Sequence, residues 1–281
     1  MFKSLWISSA VISSLLTMPA FAQLELQGKF EQGALIRGSV PAGAKVKLNG
    51  EVIKVTADGR FAFGFERDAE LEQSLEVVYP DGLTEIKPLK VNKREYKIDR
   101  IEGISKKIMK PNPQAQARAA KDAKQVRAAR DTFSEHAFFT QDFIWPVTGR
   151  ISGVYGSQRV YNGKPGNPHY GVDIARPTGT VVVAPADGVV TLAVPDMFYS
   201  GGTVIIDHGY GVSSTFIHLH KIYAKVGDKV KQGQDVAEIG ATGRVTGPHL
   251  DWRVNWFQMR LDPTTLVPPM STVLKQQKTA K

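Results

Sequence analysis

The sequence of 281 residues contains no cysteine. Disulfide bonds, cysteine nucleophiles and thiolate metal sites are therefore excluded for this chain. A cysteine-free chain is compatible with an oxidising compartment, although the absence does not place it there. Hydrophobic residues make up 42% of the chain and charged residues 22%. This composition is typical of folded globular proteins and argues against a disordered or fibrous one.

Long apolar runs are scarce, and the clearest one lies near the start. Lys3 precedes an apolar stretch over residues 5–16, and Ala20-Phe21-Ala22 follows with the small-x-small pattern that signal peptidases cleave. The stretch is short for a membrane span and is diluted by serines. We therefore predict that residues 1–22 are a secretory signal peptide. After cleavage we expect no integral membrane segment, and export to the periplasm or cell envelope.

Basic residues outnumber acidic ones, with 36 Lys and Arg against 27 Asp and Glu and a formal net charge of +9. A basic surface favours polyanionic surroundings such as nucleic acid, anionic lipid or a charged cell envelope, and charge alone does not choose among them. The sequence shows no pattern of aromatics and arginines typical of a known nucleic-acid module. We expect no nucleic-acid partner.

The sequence predicts a mainly β protein with two β domains joined by a linker. Residues 23–100 contain short alternating stretches separated by turns, of which Asn49-Gly50 is a strong hairpin pattern. We expect a small Ig-like β-sandwich there, a spacer or docking module through which a protein partner could bind. Residues 101–142 are predicted to be a linker. It contains a boundary at Pro111-Asn112-Pro113 and then a mostly exposed helix from residue 114 to about 136.

Residues 143–268 are predicted to form an all-β domain of antiparallel strands, followed by a tail at residues 269–281. Gly, Pro and Asp punctuate its strand-like runs, which cover residues 144–147, 181–184, 189–194, 203–207, 212–218, 235–239 and 250–254.

Imidazole and carboxylate side chains recur at alternate positions in this domain. On a strand, His169 and Asp173 would share one face, with Gly171 leaving space between them. Both residue types are ligands for divalent first-row metals. The same parity puts His218 with His220, and His249 with Asp251, on common faces.

These motifs resemble those of the lysostaphin-type (M23) zinc metallopeptidases over roughly residues 145–263. His169-Tyr170-Gly171-Val172-Asp173 is similar to the family's His-x-Gly-x-Asp motif. Phe216-Ile217-His218-Leu219 resembles its second motif, and Gly247-Pro248-His249-Leu250 the start of its Gly-Pro-His-Leu-His motif. The resemblance implies an antiparallel β-sheet peptidase domain, one Zn²⁺ or another divalent ion, and peptidoglycan as the substrate.

The resemblance also implies roles for single residues. His169 and Asp173 would bind the metal, and His218 and His249 would be catalytic beside it. The third family ligand, a histidine, is replaced by Asp251. An aspartate can bind zinc, but two carboxylates cancel most of the ion's charge. The sequence therefore leaves two hypotheses: a metallo-endopeptidase that cleaves peptidoglycan cross-links, or an inactive wall-binding or hydrolase-regulating protein.

Several further side chains are candidates for a role near this site. Residues 156–164 are predicted to be an exposed loop, with Arg159, Tyr161 and Asn162 as substrate-binding candidates. Arg253 could pair with Asp251 or hold a substrate carboxylate, and a surface salt bridge is the simpler expectation. The remaining histidines are expected to lie outside the chemistry: His136 at the helix end, His208 at a turn and His220 on the surface.

Overall fold

The computed structural model describes residues 24–102 and 112–279. The predicted signal peptide lies outside the described residues. The fold class is confirmed, because the described chain is mainly β with antiparallel sheets. The helices α1 and α2, whose bounds are given below, lack the combination of length and apolar character that a membrane span requires.

The N-terminal domain is a sandwich of two antiparallel sheets. Its strands are β1 Glu25–Gln27, β2 Leu35–Ser39, β3 Lys45–Leu48, β4 Glu51–Ile53, β5 Arg60–Gly64, β6 Glu72–Val78 and β7 Thr84–Lys90. One sheet has the order β1-β2-β5 and the other β4-β3-β6-β7, with a shared core that includes Phe61, Phe63 and Leu75. Asn49 and Gly50 join β3 to β4, both at positive φ, as this type of two-residue turn requires.

The connecting segment contains β8 Ile98–Ile101, the helix α1 Pro113–Asp131 and a 3₁₀ turn at Phe138–Thr140. Asn112 caps α1 by accepting a hydrogen bond from the Ala115 N–H at 2.7 Å. The helix ends five residues before the predicted end at His136, so that prediction is wrong. His136 stacks on the Phe138 ring instead of lying at the helix terminus, with the ring centroids 5.0 Å apart.

The C-terminal domain is built on one large antiparallel sheet with the order β17-β14-β15-β16-β19-β12-β9. Its strands are β9 Arg150–Gly153, β10 Gln158–Tyr161, β11 Lys164–Pro165, β12 Val172–Ala175, β13 Val181–Val183, β14 Gly188–Met197, β15 Gly201–Gly209, β16 Val212–Ile222, β17 Lys229–Val230, β18 Asp235–Ile239, β19 Leu250–Trp256 and β20 Met259–Leu261. A 3₁₀ turn at Pro263–Thr265 and the helix α2 Met270–Thr279 follow.

Three local expectations for this region are wrong. Residues 144–147 form no strand, because Pro146 has no N–H to donate to a ladder. The predicted loop at residues 156–164 contains the hairpin of β10 and β11, and β10 also pairs with β8 in parallel. The predicted tail at 269–281 contains α2, and its Met270 is buried in the domain core.

The two faces of the large sheet have different roles. Val172, Trp252 and Phe216 are cross-strand neighbours and point into the hydrophobic core. The alternate residues of the same strands point to the other face, where Thr215 lies opposite Arg253. Helix α1 covers part of that second face, since Ala129 packs with Leu192 and Ile205. The second face is therefore covered by α1 along one side. Elsewhere it carries polar and charged side chains.

Candidate metal centre

Three of the predicted ligands converge on the second face of the sheet. Strands β12 and β19 are adjacent and antiparallel, and their register places Asp173 directly opposite Asp251. His169 precedes β12, and its backbone is fixed by hydrogen bonds with Ser157 and Gly156. One ligand-capable atom from each of the three residues lies within 4.8 Å of the others. Nε2 of His169 is 3.1 Å from Oδ1 of Asp173.

The residues present fit a divalent cation. Nε2 of His169 and Oδ1 of Asp173 are both buried and have no hydrogen-bond partner. Buried polar atoms in folded proteins are nearly always satisfied, and a divalent cation between the imidazole and the carboxylate would satisfy both atoms. A Cβ added at Gly153 would collide with Asp173, and one at Gly171 would collide with Asp251. Glycine at these two positions keeps the space beside the carboxylates free.

Two further imidazoles lie beside the cluster. The ring centroids of His218 and His249 are 4.9 Å apart, and Nε2 of His249 is 3.9 Å from Oδ1 of Asp173. Nδ1 of His218 is 2.9 Å from the Thr242 carbonyl oxygen, and Nδ1 of His249 is 2.8 Å from that of Gly247. A carbonyl oxygen only accepts, so each Nδ1 donates. Each neutral ring therefore has its lone pair on Nε2.

His218 owes its position to an irregularity in β16. Between the pairs Gly202–Leu219 and Val204–Phe216, two residues of β16 lie opposite one residue of β15. His218 is in this bulge with φ +67°. Bulges redirect side chains, and a non-glycine residue at positive φ is often found at a functional site. The regular alternation expected for His218 and His220 is interrupted by this bulge, and the two side chains differ in environment: His218 is buried and His220 is exposed.

Burial and neighbouring charges set the protonation of the cluster. Burial lowers the pKa of His218 and outweighs the attraction of Asp251. Burial would also lower the pKa of His169, but the carboxylates of Asp173 and Asp251 outweigh it and raise that pKa. For Asp251, burial alone would raise the pKa, whereas the adjacent Arg253 lowers it. Asp251 is therefore an ionised carboxylate in a nearly dry position.

Asp251 forms a bidentate ion pair with Arg253. Nε of Arg253 lies 3.0 Å from Oδ1 and 3.1 Å from Oδ2, and Nη2 lies 2.6 Å from Oδ2. The sequence left the partner of Arg253 open, and the structure shows this pair. It is not the expected surface pair, because the Asp251 side chain is only 3% exposed. Oδ1 accepts only one of these three hydrogen bonds and so keeps a second lone pair that a metal could use.

The proposed substrate-binding residues belong to a different sheet from the one that carries Asp173 and Asp251. Arg159 and Tyr161 are on β10, and Asn162 donates its backbone N–H to Ile101 at the end of β8. Arg159 is exposed, and the other two are partly buried. They belong to the small sheet of β8, β10 and β11. Their role in substrate binding stays a prediction.

His208 has a structural environment, as expected, although it lies in β15 rather than at a turn. Its Nδ1 is 2.7 Å from the Asp187 carbonyl oxygen, and its Nε2 is 2.9 Å from Oγ of Ser214. Complete burial lowers the pKa of His208 to about 4. The ring is thus neutral and satisfied inside the protein.

One residue of the second face escaped the sequence analysis. Arg130, in the last turn of α1, reaches under the helix and donates from Nη2 to Oγ1 of Thr215 at 3.2 Å. Its neighbours in the sequence include many similar Lys and Arg residues, and the helix has no apolar stripe to indicate which side is buried. No local pattern could have separated it from the exposed arginines.

Comparisons with known proteins match the same strands. Residues 167–263 match the model of peptidase family M23. Peptidoglycan DD-endopeptidase ShyA of Vibrio cholerae is 45% identical over 87 residues, which is 31% of this chain and 20% of ShyA. ShyB of the same organism, also a peptidoglycan DD-endopeptidase, is 39% identical over 109 residues, which is 39% of this chain and 22% of ShyB. The matched part of this chain thus spans about a fifth of the length of these relatives.

A solved structure extends the similarity beyond the matched segment. A crystal structure described as an M23 peptidase from Pseudomonas aeruginosa has a TM-score of 0.65 and 28% identity, covering 85% of this chain and 95% of that chain. The fold is therefore shared across most of the described residues, including the N-terminal sandwich. With the family match lying on the strands that bring His169, Asp173 and Asp251 together, the C-terminal domain of this chain belongs to peptidase family M23.

Proposed function

We propose that this chain is a metal-dependent endopeptidase that hydrolyses peptide cross-links of bacterial peptidoglycan. The observation that supports it most is the convergence of three ligand-capable side chains, two of them with buried and unsatisfied atoms, beside two imidazoles. The similarity to M23 relatives that are peptidoglycan DD-endopeptidases supports the substrate class. Residues 1–22, proposed as a signal peptide, would bring the protein to the cell envelope where that substrate lies.

In this proposal His169, Asp173 and Asp251 hold one divalent ion, for which zinc is the first choice given an imidazole and two carboxylates. When bound, the ion supplies Lewis-acid polarisation of the scissile carbonyl and makes the attacking water easier to deprotonate. Arg253 offsets the charge of Asp251, so the three ligands and the arginine together have a net charge of about −1, the value for a site with one carboxylate.

His218 and His249 supply the proton chemistry. Each ring donates a hydrogen bond from its Nδ1–H to a backbone carbonyl oxygen. This hydrogen bond fixes the ring and leaves Nε2 free to accept a proton. One imidazole accepts the proton of the attacking water on Nε2 and later donates that proton to the leaving amine. The other, when its Nε2 has taken a proton from solvent, donates a hydrogen bond to the oxyanion that develops on the scissile carbonyl.

Digestion of purified cell wall tests the proposal. Peptidoglycan sacculi are incubated with the protein, with a chelator, and with the chelator followed by zinc, and the soluble muropeptides are separated by chromatography. We expect cross-linked muropeptides to be converted to their uncross-linked parts, with loss under chelation and recovery with zinc. His218→Ala and His249→Ala should abolish conversion, whereas His220→Ala at the exposed position should not. Intact cross-links under every metal would contradict the proposal.

One observation favours the alternative, a wall-binding or hydrolase-regulating protein without catalysis. Arg253 already engages both oxygens of Asp251 and so competes with a metal for them. Asp251→His separates the two functions. If the native site holds zinc only weakly, this variant should bind it more tightly. Sedimentation of the protein with sacculi that stay uncleaved, with no metal held by either form, would support the alternative.

A further inference from the structure

A buried and unpaired cation lies on the same sheet face as the metal cluster. Arg130 is only 8% exposed, yet no carboxylate of the described residues forms an ion pair with it. Its hydrogen bond goes to the neutral hydroxyl of Thr215, and its Nε is buried without a partner. Buried charges are costly unless they are paired, so this arrangement requires an explanation.

The surroundings of Arg130 are positive as well. Thr215 lies directly opposite Arg253, and Asn255, two residues further along β19, lies opposite Arg260. Burial, together with the charges of Arg253 and Arg260, lowers the pKa of Arg130 to about 9. The guanidinium is thus still charged at neutral pH. Three arginines from α1, β19 and β20 therefore face one patch, and of these only Arg253 is paired with a carboxylate of the described chain.

Some hydrogen-bond donors in this patch remain available to a ligand. Arg253 donates from Nε and Nη2 to Asp251, which leaves its Nη1 group as a further donor. The guanidinium of Arg260 stacks on Tyr170, with Cζ 4.5 Å from the ring centroid, and this contact fixes its plane without using its N–H groups. The buried hydroxyl of Ser213, two residues from Thr215 on the same face, also has no partner. The parallel N–H groups of a guanidinium can donate to the two oxygens of a carboxylate.

We propose that Arg130, Arg253 and Arg260 form a subsite that binds a free carboxylate of the substrate next to the metal cluster. Arg253 follows Asp251 by two positions on β19, a separation of roughly 7 Å along the strand. A carboxylate held there lies about two residues of extended peptide, or less, from a bond placed at the cluster. The identification of the ligand as a peptide acid rests on the proposed function, whereas the binding of a carboxylate can be measured without any catalysis.

The test uses the full chain without metal and two small probes. N-acetyl-D-alanyl-D-alanine has a free carboxylate, and its C-terminal amide is the matched neutral compound. Titrations followed by protein NMR give the dissociation constant for each. We expect the acid to bind about tenfold more tightly than the amide, because two or more charge-assisted hydrogen bonds are lost with the amide. Equal binding of the two compounds, or no binding of the acid, would overturn the proposal.

Substitutions in α1 test whether Arg130 causes the preference for the acid over the amide. Arg130→Met should abolish the preference for the acid and raise the melting temperature, because an unpaired buried charge is removed. Arg130→Gln provides a smaller change should the methionine variant not fold. Arg127→Met, at an exposed position one turn earlier, should leave both the preference and the melting temperature unchanged. A preference that survives loss of Arg130 assigns that residue a structural role and refutes the subsite.

The proposed catalytic function and the proposed carboxylate subsite can be refuted independently of each other. A preference for the acid in a protein that never releases muropeptides leaves the subsite in place and removes the catalytic function. Conversion of muropeptides without any preference for the acid leaves the catalysis and removes the subsite.

Discussion

At the residue scale, the two aspartates of the cluster differ in their hydrogen-bond partners. Asp251 accepts three hydrogen bonds from Arg253, whereas Oδ1 of Asp173 is buried without a partner. In the metal-free protein these carboxylates should therefore contribute unequally to stability. Asp251 is part of a buried ion pair with an arginine, whereas the Asp173 side chain is 22% exposed and has the imidazole of His169 as its near partner.

Asp251→Asn should lower the free energy of unfolding of the metal-free protein by about 1–3 kcal/mol, because Arg253 loses its ionised partner. Asp173→Asn is the matched control and should lower it by less, because the Asp173 side chain is 22% exposed and forms no pair with an arginine or lysine of the described residues. Urea unfolding in the presence of a chelator measures both. A larger loss for Asp173→Asn than for Asp251→Asn would contradict this account of the cluster.

The buried His208 predicts a pH dependence of stability. Its pKa is about 4 in the folded protein against 6.5 for the free side chain. As the pH falls from 6.5 to 4, the unfolded chain binds a proton that the folded chain excludes. The free energy of unfolding therefore falls with pH, by roughly 3 kcal/mol from this residue over the interval.

His208→Gln should flatten the curve of unfolding free energy against pH between 6.5 and 4, whatever its effect at neutral pH. The exposed His220→Gln should keep the slope of the parent protein. Denaturant unfolding at a series of pH values gives the three curves. A slope unchanged by His208→Gln would show that this ring is not the group that titrates.

At the element scale, α1 is attached to the sheet by few apolar contacts. Its buried residues are Ala129 and Arg130, and its ion pair from Arg118 to Asp196 joins two partly exposed side chains. Exposed pairs contribute little to stability. The Asp122 carboxylate accepts the backbone N–H of Phe198 at 2.7 Å and fixes the middle of the helix.

We expect α1 to open at a lower free energy than the sheet beneath it. In native-state hydrogen exchange, the amides of α1 should exchange by local unfolding, well before those of β15 and β16 at the centre of the sheet. Mass spectrometry of peptides from the two regions gives the comparison. Equal protection of α1 and β16 would mean that the helix unfolds only with the whole domain.

Secondary-structure elements could be predicted from the sequence where a local residue pattern determines them. The turn at Asn49-Gly50 and the strand Asp235–Ile239 were recognised, because turn geometry and alternation are encoded within a few residues. The bulge at His218 was not, because it depends on the register between β15 and β16. The pairing of β8 with β10 joins segments that are distant in the sequence, so residues 156–164 looked like a loop from composition alone.

The cluster itself could be predicted from strand alternation together with the family resemblance, whereas its supporting partners could not. Alternation and the family resemblance brought His169, Asp173 and Asp251 to one face. The sequence could not choose the partner of Arg253, because an arginine two positions from an aspartate on a strand can turn toward it or toward solvent. Arg130 was missed because burial under a helix depends on tertiary packing.

At the scale of the whole molecule, the two β domains are closely joined. Nη1 of Arg94 lies 2.8 Å from Oδ2 of Asp262, which is only 2% exposed. Arg67 donates two hydrogen bonds to the Gly156 carbonyl oxygen at 3.0 and 2.9 Å. Trp256 packs against the cores of both domains. These contacts should make the domains unfold together.

Scanning calorimetry should therefore show a single cooperative transition for the full chain. Arg94→Ala should lower the free energy of unfolding by about 1–3 kcal/mol, since it leaves the buried Asp262 without its cation. Lys97→Ala is the control, because its ion pair with Asp99 is exposed and should contribute little. Two resolved transitions in the parent protein would contradict the joined arrangement.

The most direct test of the account is the metal content of the full chain. The protein is loaded with zinc, dialysed against metal-free buffer and measured by elemental analysis, with affinity from calorimetric titration. The account predicts one zinc ion per chain, and loss of stoichiometric binding in His169→Ala and Asp173→Ala but not in His220→Ala. A parent protein that retains no divalent metal, or a His169→Ala variant that binds it equally well, would contradict the central claim.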